Sequence, residues 1–530
     1  MKSKLLSYLI LFINLYLIYS HRCGADSIKI KPYIINKDKV NNNNKRRLSD
    51  DFTPIKIKVD FTKLEHQVGD STLNFYKEVF TEVSHIFSSL LLVQHYNIDL
   101  NIDIINNSCY VDEVGNGVES WLYNNDVVIF PYVDNTYNDD IIASAAACLI
   151  LDNYKPVGGI VALNRHFSKN KEDSKEYMEM VLLHELSHVL GFHPGFFEAL
   201  NLMGTETRNG IKYSFINSPK VLEKAKIHFN CENIKVIQLE DQGGDGSAGA
   251  HWEARYMLGD YMISTDYTEN VISDITLALF EDTGFYKVNY YTGGLFRFGK
   301  NQGCAFLEEL CIKNENYLKT SFPNEFCVES TKSFCGSSHI SRGICYIVRY
   351  DHALEEKYQY FSENNIGGVF SSANYCPISY LSRSEQNILS SNYYYPSHCN
   401  YGYPILESKG EKIGSNSLCF ESSLNLTDEE SICYEVECDK FEKKIIIKIG
   451  TLKVICPGNR TLITNPDGFI GNITCPEYNL VCSSEVPCND MLDCIRKKST
   501  VARSTYLYIK SNKLTINYFC LFFVIIFYLL

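Results

Sequence analysis

A histidine, a glutamate and a second histidine stand close together at His184-Glu185-Leu186-Ser187-His188, inside an apolar run from Val181 to Leu190 that ends at Gly191. Residues four apart lie one above the other on a helix, so His184 and His188 can offer two imidazole nitrogens to one metal ion. Glu185 is one step round the helix and cannot share that ligand direction. It is placed instead to take a proton from a water that the metal polarises. The chemistry implied is zinc-dependent hydrolysis of a peptide bond, with Glu185 as general base. A catalytic zinc takes three protein ligands and keeps one position open, so a third ligand must come from later in the chain. Gly191 lets the backbone turn sharply after the helix. His193 lies just beyond it and is one candidate, although it would need a distorted turn. His85 and His166 read as structural or solvated.

The pair of histidines needs a rigid support, and the periodicity supplies one. Ser174 to Leu190 is expected to be a helix closed by Gly191. Ser71 to Val93 places Phe75, Val79, Val83, Ile86, Leu90 and Val93 at helical steps, with Asp70 as its N-cap. Ile55 to Val59 and Asn97 to Ile104 alternate as strands. Asp126 to Val133 and Gly158 to Leu163 read as buried strands, and Ile272 to Phe280 as a helix. The sum is an α+β arrangement. Val157 to Asn164 reads either as an edge strand that pairs with an extended peptide or as a plain sheet strand. Phe192, Phe196 and Phe197 read as core, with the lining of a substrate pocket as the alternative.

Composition and the chain ends set the compartment. The net charge is -13, with no long basic run, which excludes nucleic acid as a partner class. Residues 1–20 read as a signal peptide, with Lys2 and Lys4 ahead of an apolar run. Residues 21–51 read as a pro-segment ending near Lys45-Arg46-Arg47, or as a solvated linker. Residues 52–191 and 192–298 read as two catalytic subdomains. Residues 299–500 read as a cysteine-rich domain. Residues 501–530 end in the apolar run Tyr518 to Leu530, after small residues at Ser499, Thr500, Ala502 and Ser504. That order suits a removable lipid-anchor signal, with a short transmembrane tail as the alternative. There are 20 cysteines; setting aside Cys23 and Cys520 leaves an even number, as an oxidising compartment and a disulfide framework require. An odd group, fifteen, runs from Cys304 to Cys494. We expect Cys231 to supply its missing partner and Cys109 to pair with Cys148. Sequons at Asn106, Asn425, Asn459 and Asn472 agree with secretion.

Two further stretches carry a resemblance. In the compact metzincin signature H-E-x-x-H-x-x-G-x-x-H, the place of the third histidine falls here on Pro194. Past the glycine run Gly243-Gly244-Asp245-Gly246 come Ala250-His251-Trp252-Glu253-Ala254-Arg255, then Gly259-Asp260-Tyr261-Met262, then Leu277 to Tyr286 with Glu281, Asp282 and Gly284. With the His184–His188 motif, this order resembles the leishmanolysin family of surface metzincins, in which an insertion separates the first two histidines from the third. The resemblance implies a metzincin-like catalytic domain holding one zinc ion, with His251 as third ligand. It implies that Met262 forms an apolar floor beneath the metal; Met257 is the alternative. Glu253 is a weak candidate to orient His251. Cys23, in His21-Arg22-Cys23, is similar to the family's inhibitory cysteine, whose thiolate fills the open zinc position; the histidine that the family has two places on is absent here. Protein or peptide substrates, a membrane-anchored place on the extracellular face and a role in cell adhesion are also implied. A catalytically silent adhesion protein that keeps the fold is the competing reading, and a purely structural zinc site a third.

Overall fold

The computed structural model describes residues 31–36, 52–136, 141–165, 175–208, 211–242, 248–290 apart from 266, 268 and 269, 296–380 apart from 315–317, 331 and 332, residue 399, and 407–482 apart from 427. Cys23, His166, the cluster Lys45-Arg46-Arg47, the run Gly243 to Gly246 and both chain ends lie outside these residues.

Apolar runs with little alternation make a sheet whose three central strands are buried on both faces. Its strands are β1 (Tyr33–Ile35), β2 (Ile57–Val59), β3 (Val127–Asp134), β4 (Ala143–Leu151) and β5 (Pro156–Asn164). Their order across the sheet is β1-β4-β5-β3-β2. β5 runs parallel to β3, with Val128 opposite Gly158, and antiparallel to β4, with Ala143 opposite Leu163. Every residue of β5 is buried. On one face lie α1 (Asp70–Leu90) and α3 (Lys175–Leu190), packed on Val127, Ile129, Val161 and Leu163. On the other lies a smaller cluster of Ile98, Leu100, Ile105, Val118 and Leu122 against Val128, Phe130 and Ile160. The mixed helix and strand content agrees with the α+β expectation.

Several local expectations are corrected. β5 is a central strand, so of its two readings the plain sheet strand holds and the edge does not; β4 lies between β5 and the short outer strand β1, which pairs only its last three residues, in parallel. β4 escaped the sequence reading because Ala143-Ser-Ala-Ala-Ala has weak strand propensity. Asn97 to Ile104 is not a strand. Leu100 hydrogen-bonds Glu119, and the Asn101 side chain accepts from the Ile104 amide at 3.2 Å to cap α2 (Ile102–Cys109). The alternation of four apolar residues therefore spans an extended segment and a helix start, and Cys109 then ties that helix to β4 through Cys148. The N-cap of α1 is Gly69; Asp70 is the first helical residue, where its charge still faces the positive end of the helix dipole. Ile55 separates two short strands, Thr53–Pro54 and β2.

After α3 the chain makes α4 (Pro194–Ala199), then the hairpin β6 (Met203–Arg208) and β7 (Ile211–Ile216), α5 (Pro219–Phe229), β8 (Ile237–Gln238) against β7, and α6 (Asp274–Asp282). One apolar cluster runs from Ile55 to Ile378. Residues 417–475 form a six-stranded antiparallel sheet with a separate core that includes Phe420, Ile432, Tyr434 and Ile447. Eight disulfides join described residues; Cys109 pairs with Cys148 as expected, and Cys231 supplies the outside partner of the cysteine-rich group, joined to Cys304. Such density belongs to an oxidising compartment. Among the described residues, no helix is long and apolar enough to cross a membrane.

Candidate metal centre

His184 and His188 lie one turn apart on the buried length of α3, their Nε2 atoms 3.0 Å from each other. The third imidazole is His251, fully buried, with its ring centroid 5.1 Å from that of His184 and 5.2 Å from that of His188. One ligand atom from each of the three lies within 4.8 Å of the others. The backbone fixes the tautomers of the first pair. His184 Nδ1 donates to the Tyr261 carbonyl and His188 Nδ1 to the Phe192 carbonyl, both at 2.7 Å. Each Nε2 therefore carries a bare lone pair. Burial, then the neighbouring His251, pushes the His184 imidazole down to about 3; burial, then His184, holds His188 well below the usual histidine range. Both are neutral, as metal binding requires.

Two lone-pair nitrogens at hydrogen-bond distance, buried and without a proton between them, repel unless a cation is shared. Tetrahedral zinc with Zn–N bonds near 2.0–2.1 Å would hold them roughly 3.3 Å apart. The donor set fits that ion.

Each imidazole is held by a local feature of the chain. Gly191 has φ 126°, a conformation that favours glycine, and the turn it makes brings the Phe192 carbonyl back onto His188. His251 sits where an isolated antiparallel bridge pairs Leu239 with Trp252. Trp252 is completely buried, 5.4 Å edge-on to Phe192, with its indole N–H on Thr276 Oγ1 at 2.7 Å. The turn Gly259-Asp260-Tyr261-Met262 then runs beside α3. The Trp252 amide donates to the Met262 carbonyl, and the Tyr261 hydroxyl bonds Ser187 at 2.7 Å. Met262 is fully buried within this turn; Met257 is buried too, but ends the short helix Ala254–Met257.

His193 is not part of the cluster: its Nδ1 accepts from the Gly195 amide and caps α4. Glu253 does not orient His251 but caps the helix Ala254–Met257 by accepting from the Arg255 amide. The carboxylate beside His251 is Glu240, 3.2 Å from Nδ1. His85 is at the surface near Glu82. Phe192 and Phe197 are buried in the core, as expected, and Phe196 packs on Ala147 and Ile150 of β4.

Sequence reasoning missed Asp260, which fastens the methionine turn. Its Oδ1 accepts from the Met262 amide at 2.8 Å, and its Oδ2 from Thr276 Oγ1 at 2.7 Å and the Ser273 amide at 3.2 Å. An aspartate next to a glycine was the only cue. Burial outweighs these bonds and pushes the carboxyl up to about 6. A folded-state value above the unfolded one means that the folded protein binds the extra proton, so stability falls as pH rises from about 4 to 6 and is level above. With a chelator present, Asp260→Asn is expected to lack that slope. Its unfolding free energy in urea should lie about 1–3 kcal/mol below wild type at pH 7, because the amide turns a donor toward Thr276 and Ser273. An unchanged pH dependence of unfolding would assign the slope to another group.

These features define a class: a mixed α and β protein with a buried three-histidine centre built on an H-E-x-x-H helix. Comparison with known proteins identifies the family. The leishmanolysin family (peptidase M8) matches residues 83–488, and the chain belongs to it. A leishmanolysin homolog of Crithidia fasciculata is 29% identical over 364 residues, covering 65% of this chain and 53% of that protein. Leishmanolysin of Leishmania chagasi is 26% identical over 393 residues, covering 69% and 61%. The leishmanolysin-like peptidase of Drosophila pseudoobscura pseudoobscura is 30% identical over 304 residues, covering 50% and 44%. The chain thus spans only part of the length of these relatives.

Proposed function

We propose that the protein is a zinc-dependent endopeptidase that cleaves proteins in the secretory pathway or on the extracellular face of the cell. The observation that carries this reading is the convergence of three buried imidazoles on the helix that carries Glu185. His184, His188 and His251 hold the metal, in a metzincin-like catalytic domain with Met262 beneath it. When bound, zinc supplies Lewis acidity toward water and the peptide carbonyl. Glu185 accepts the proton of the attacking water and returns it to the leaving amine. Its burial keeps bulk water from competing for that proton.

An extended substrate pairs by backbone hydrogen bonds with β4 along Ala143 to Cys148, the stretch before the residues that β1 pairs. β1 lies inside the proposed pro-segment, so cleavage near Lys45-Arg46-Arg47 would lengthen the available edge. The proposed roles of Cys23 as the latent-state thiolate and of the C-terminal run as lipid anchor or membrane tail complete the reading.

Metal content separates this reading from its rivals. Wild type is expected to carry one zinc and to cleave a denatured protein in a chelator-sensitive way. His251→Ala should lose both, and His193→Ala neither. Retention of zinc in His251→Ala with loss in His193→Ala would reverse the ligand assignment. A metal-loaded protein, processed at its pro-segment yet without cleavage of any denatured protein, would favour an adhesion role.

A further inference from the structure

His251 differs from the other two imidazoles in how it is held. His184 and His188 are fixed by a sixteen-residue helix and donate to neutral carbonyls. His251 lies outside any regular helix or strand, next to an isolated bridge, so secondary structure alone does not set its ring orientation. Three carboxylates stand nearby. Asp241 faces Lys357 and Gln242, and Glu253 caps the next helix. Among the described residues, Glu240 is the carboxylate paired with the ring, with Oε2 3.2 Å from Nδ1.

Glu240 holds His251 in two ways. Its amide donates to the His251 carbonyl at 2.9 Å, which fixes the backbone, and its carboxylate meets the imidazole, which fixes the ring. The other carboxylate oxygen accepts from Ser264 Oγ at 2.7 Å, two residues past Met262. One buried side chain thereby joins the third histidine to the methionine turn. It also places the negative charge of a carboxylate behind that imidazole. A carboxylate on Nδ1–H leaves Nε2 as the donor and raises its basicity toward a metal.

We infer that Glu240 is the positioning residue of the third zinc ligand, and that its charge, not only its hydrogen bond, strengthens metal binding. This rests on the reading of His184, His188 and His251 as zinc ligands. The test measures zinc affinity of the full chain by competition with a chromophoric chelator at one fixed pH, with circular dichroism to confirm the fold. Glu240→Gln keeps the size and an acceptor oxygen but removes the charge. It is expected to bind zinc about 10-fold more weakly, and Glu240→Ala up to about 100-fold more weakly. A merely structural contact would be preserved by glutamine. Zinc affinity of Glu240→Gln within about twofold of wild type would therefore overturn the inference, even if Glu240→Ala fails to fold. His251→Ala serves as the reference: if it binds zinc as wild type does, the ligand reading has failed; if it loses zinc while Glu240→Gln does not, only the role of Glu240 has.

Discussion

Glu185→Gln is expected to hold zinc as tightly as wild type and to cleave a denatured protein about 10²–10⁴-fold more slowly. The side chain is almost wholly buried on α3, next to His184, so glutamine of the same volume leaves the packing of the helix undisturbed. It contributes no ligand, so metal content should not fall. What changes is proton transfer, since an amide cannot take the proton of the attacking water. The decisive measurement is kcat/KM beside zinc content on the same preparation. The loss should fall on kcat, because the proton moves only as the transition state forms. Cleavage at the wild-type rate with zinc still bound would remove Glu185 from the mechanism. Loss of zinc together with activity would instead make Glu185 a structural support of the centre. The same variant separates a peptidase from a silent relative, because a protein without the chemistry shows no difference between the two chains.

How much of this was legible depended on whether the signal was local. The helix of His184, Glu185 and His188 is local: two ligands four apart, an apolar flank and a terminating glycine occupy one continuous stretch. His251 is not local, and spacing alone did not select it over His193. The resemblance named it, and the fold brings it to α3 through the Leu239–Trp252 bridge. Glu240 and Asp260 were beyond reach for a further reason. Their roles depend on which acidic side chain points inward, and Glu240, Asp241 and Glu253 look alike in a sequence. Strand reading failed where composition misled: alanine hid β4, and a capping asparagine cut short the alternation at Asn101. Counting shows that an odd cluster needs one link to the outside and points to Cys231 for it, but does not say which cysteine receives it; the fold joins Cys231 to Cys304, and Cys109 to Cys148.

A second large effect is expected far from any ligand. Gly159 sits in the middle of β5, where an added Cβ would lie 2.3 Å from Val189 Cγ1 and 3.1 Å from the Ala146 carbonyl oxygen. Glycine in a central strand often marks a close approach of this kind. The Ala146 backbone belongs to the neighbouring strand and cannot give way. Val189 is β-branched and stiff on a helix, so it cannot rotate aside cheaply. Gly159→Ala must therefore push α3 off the sheet at the residue next to His188. Such overpacking costs about 1–3 kcal/mol of stability. A displacement of roughly 1 Å in the reacting groups costs about 10²-fold in rate. The double variant Gly159→Ala, Val189→Ala restores the space, and should recover most of the activity and stability lost in the single one. That recovery is the coupling measured by a double-mutant cycle. Additive losses would mean that the glycine serves the strand alone. A recovered double variant would show that the distance between sheet and helix, set by one missing methyl group, fixes where two of the three proposed metal ligands stand.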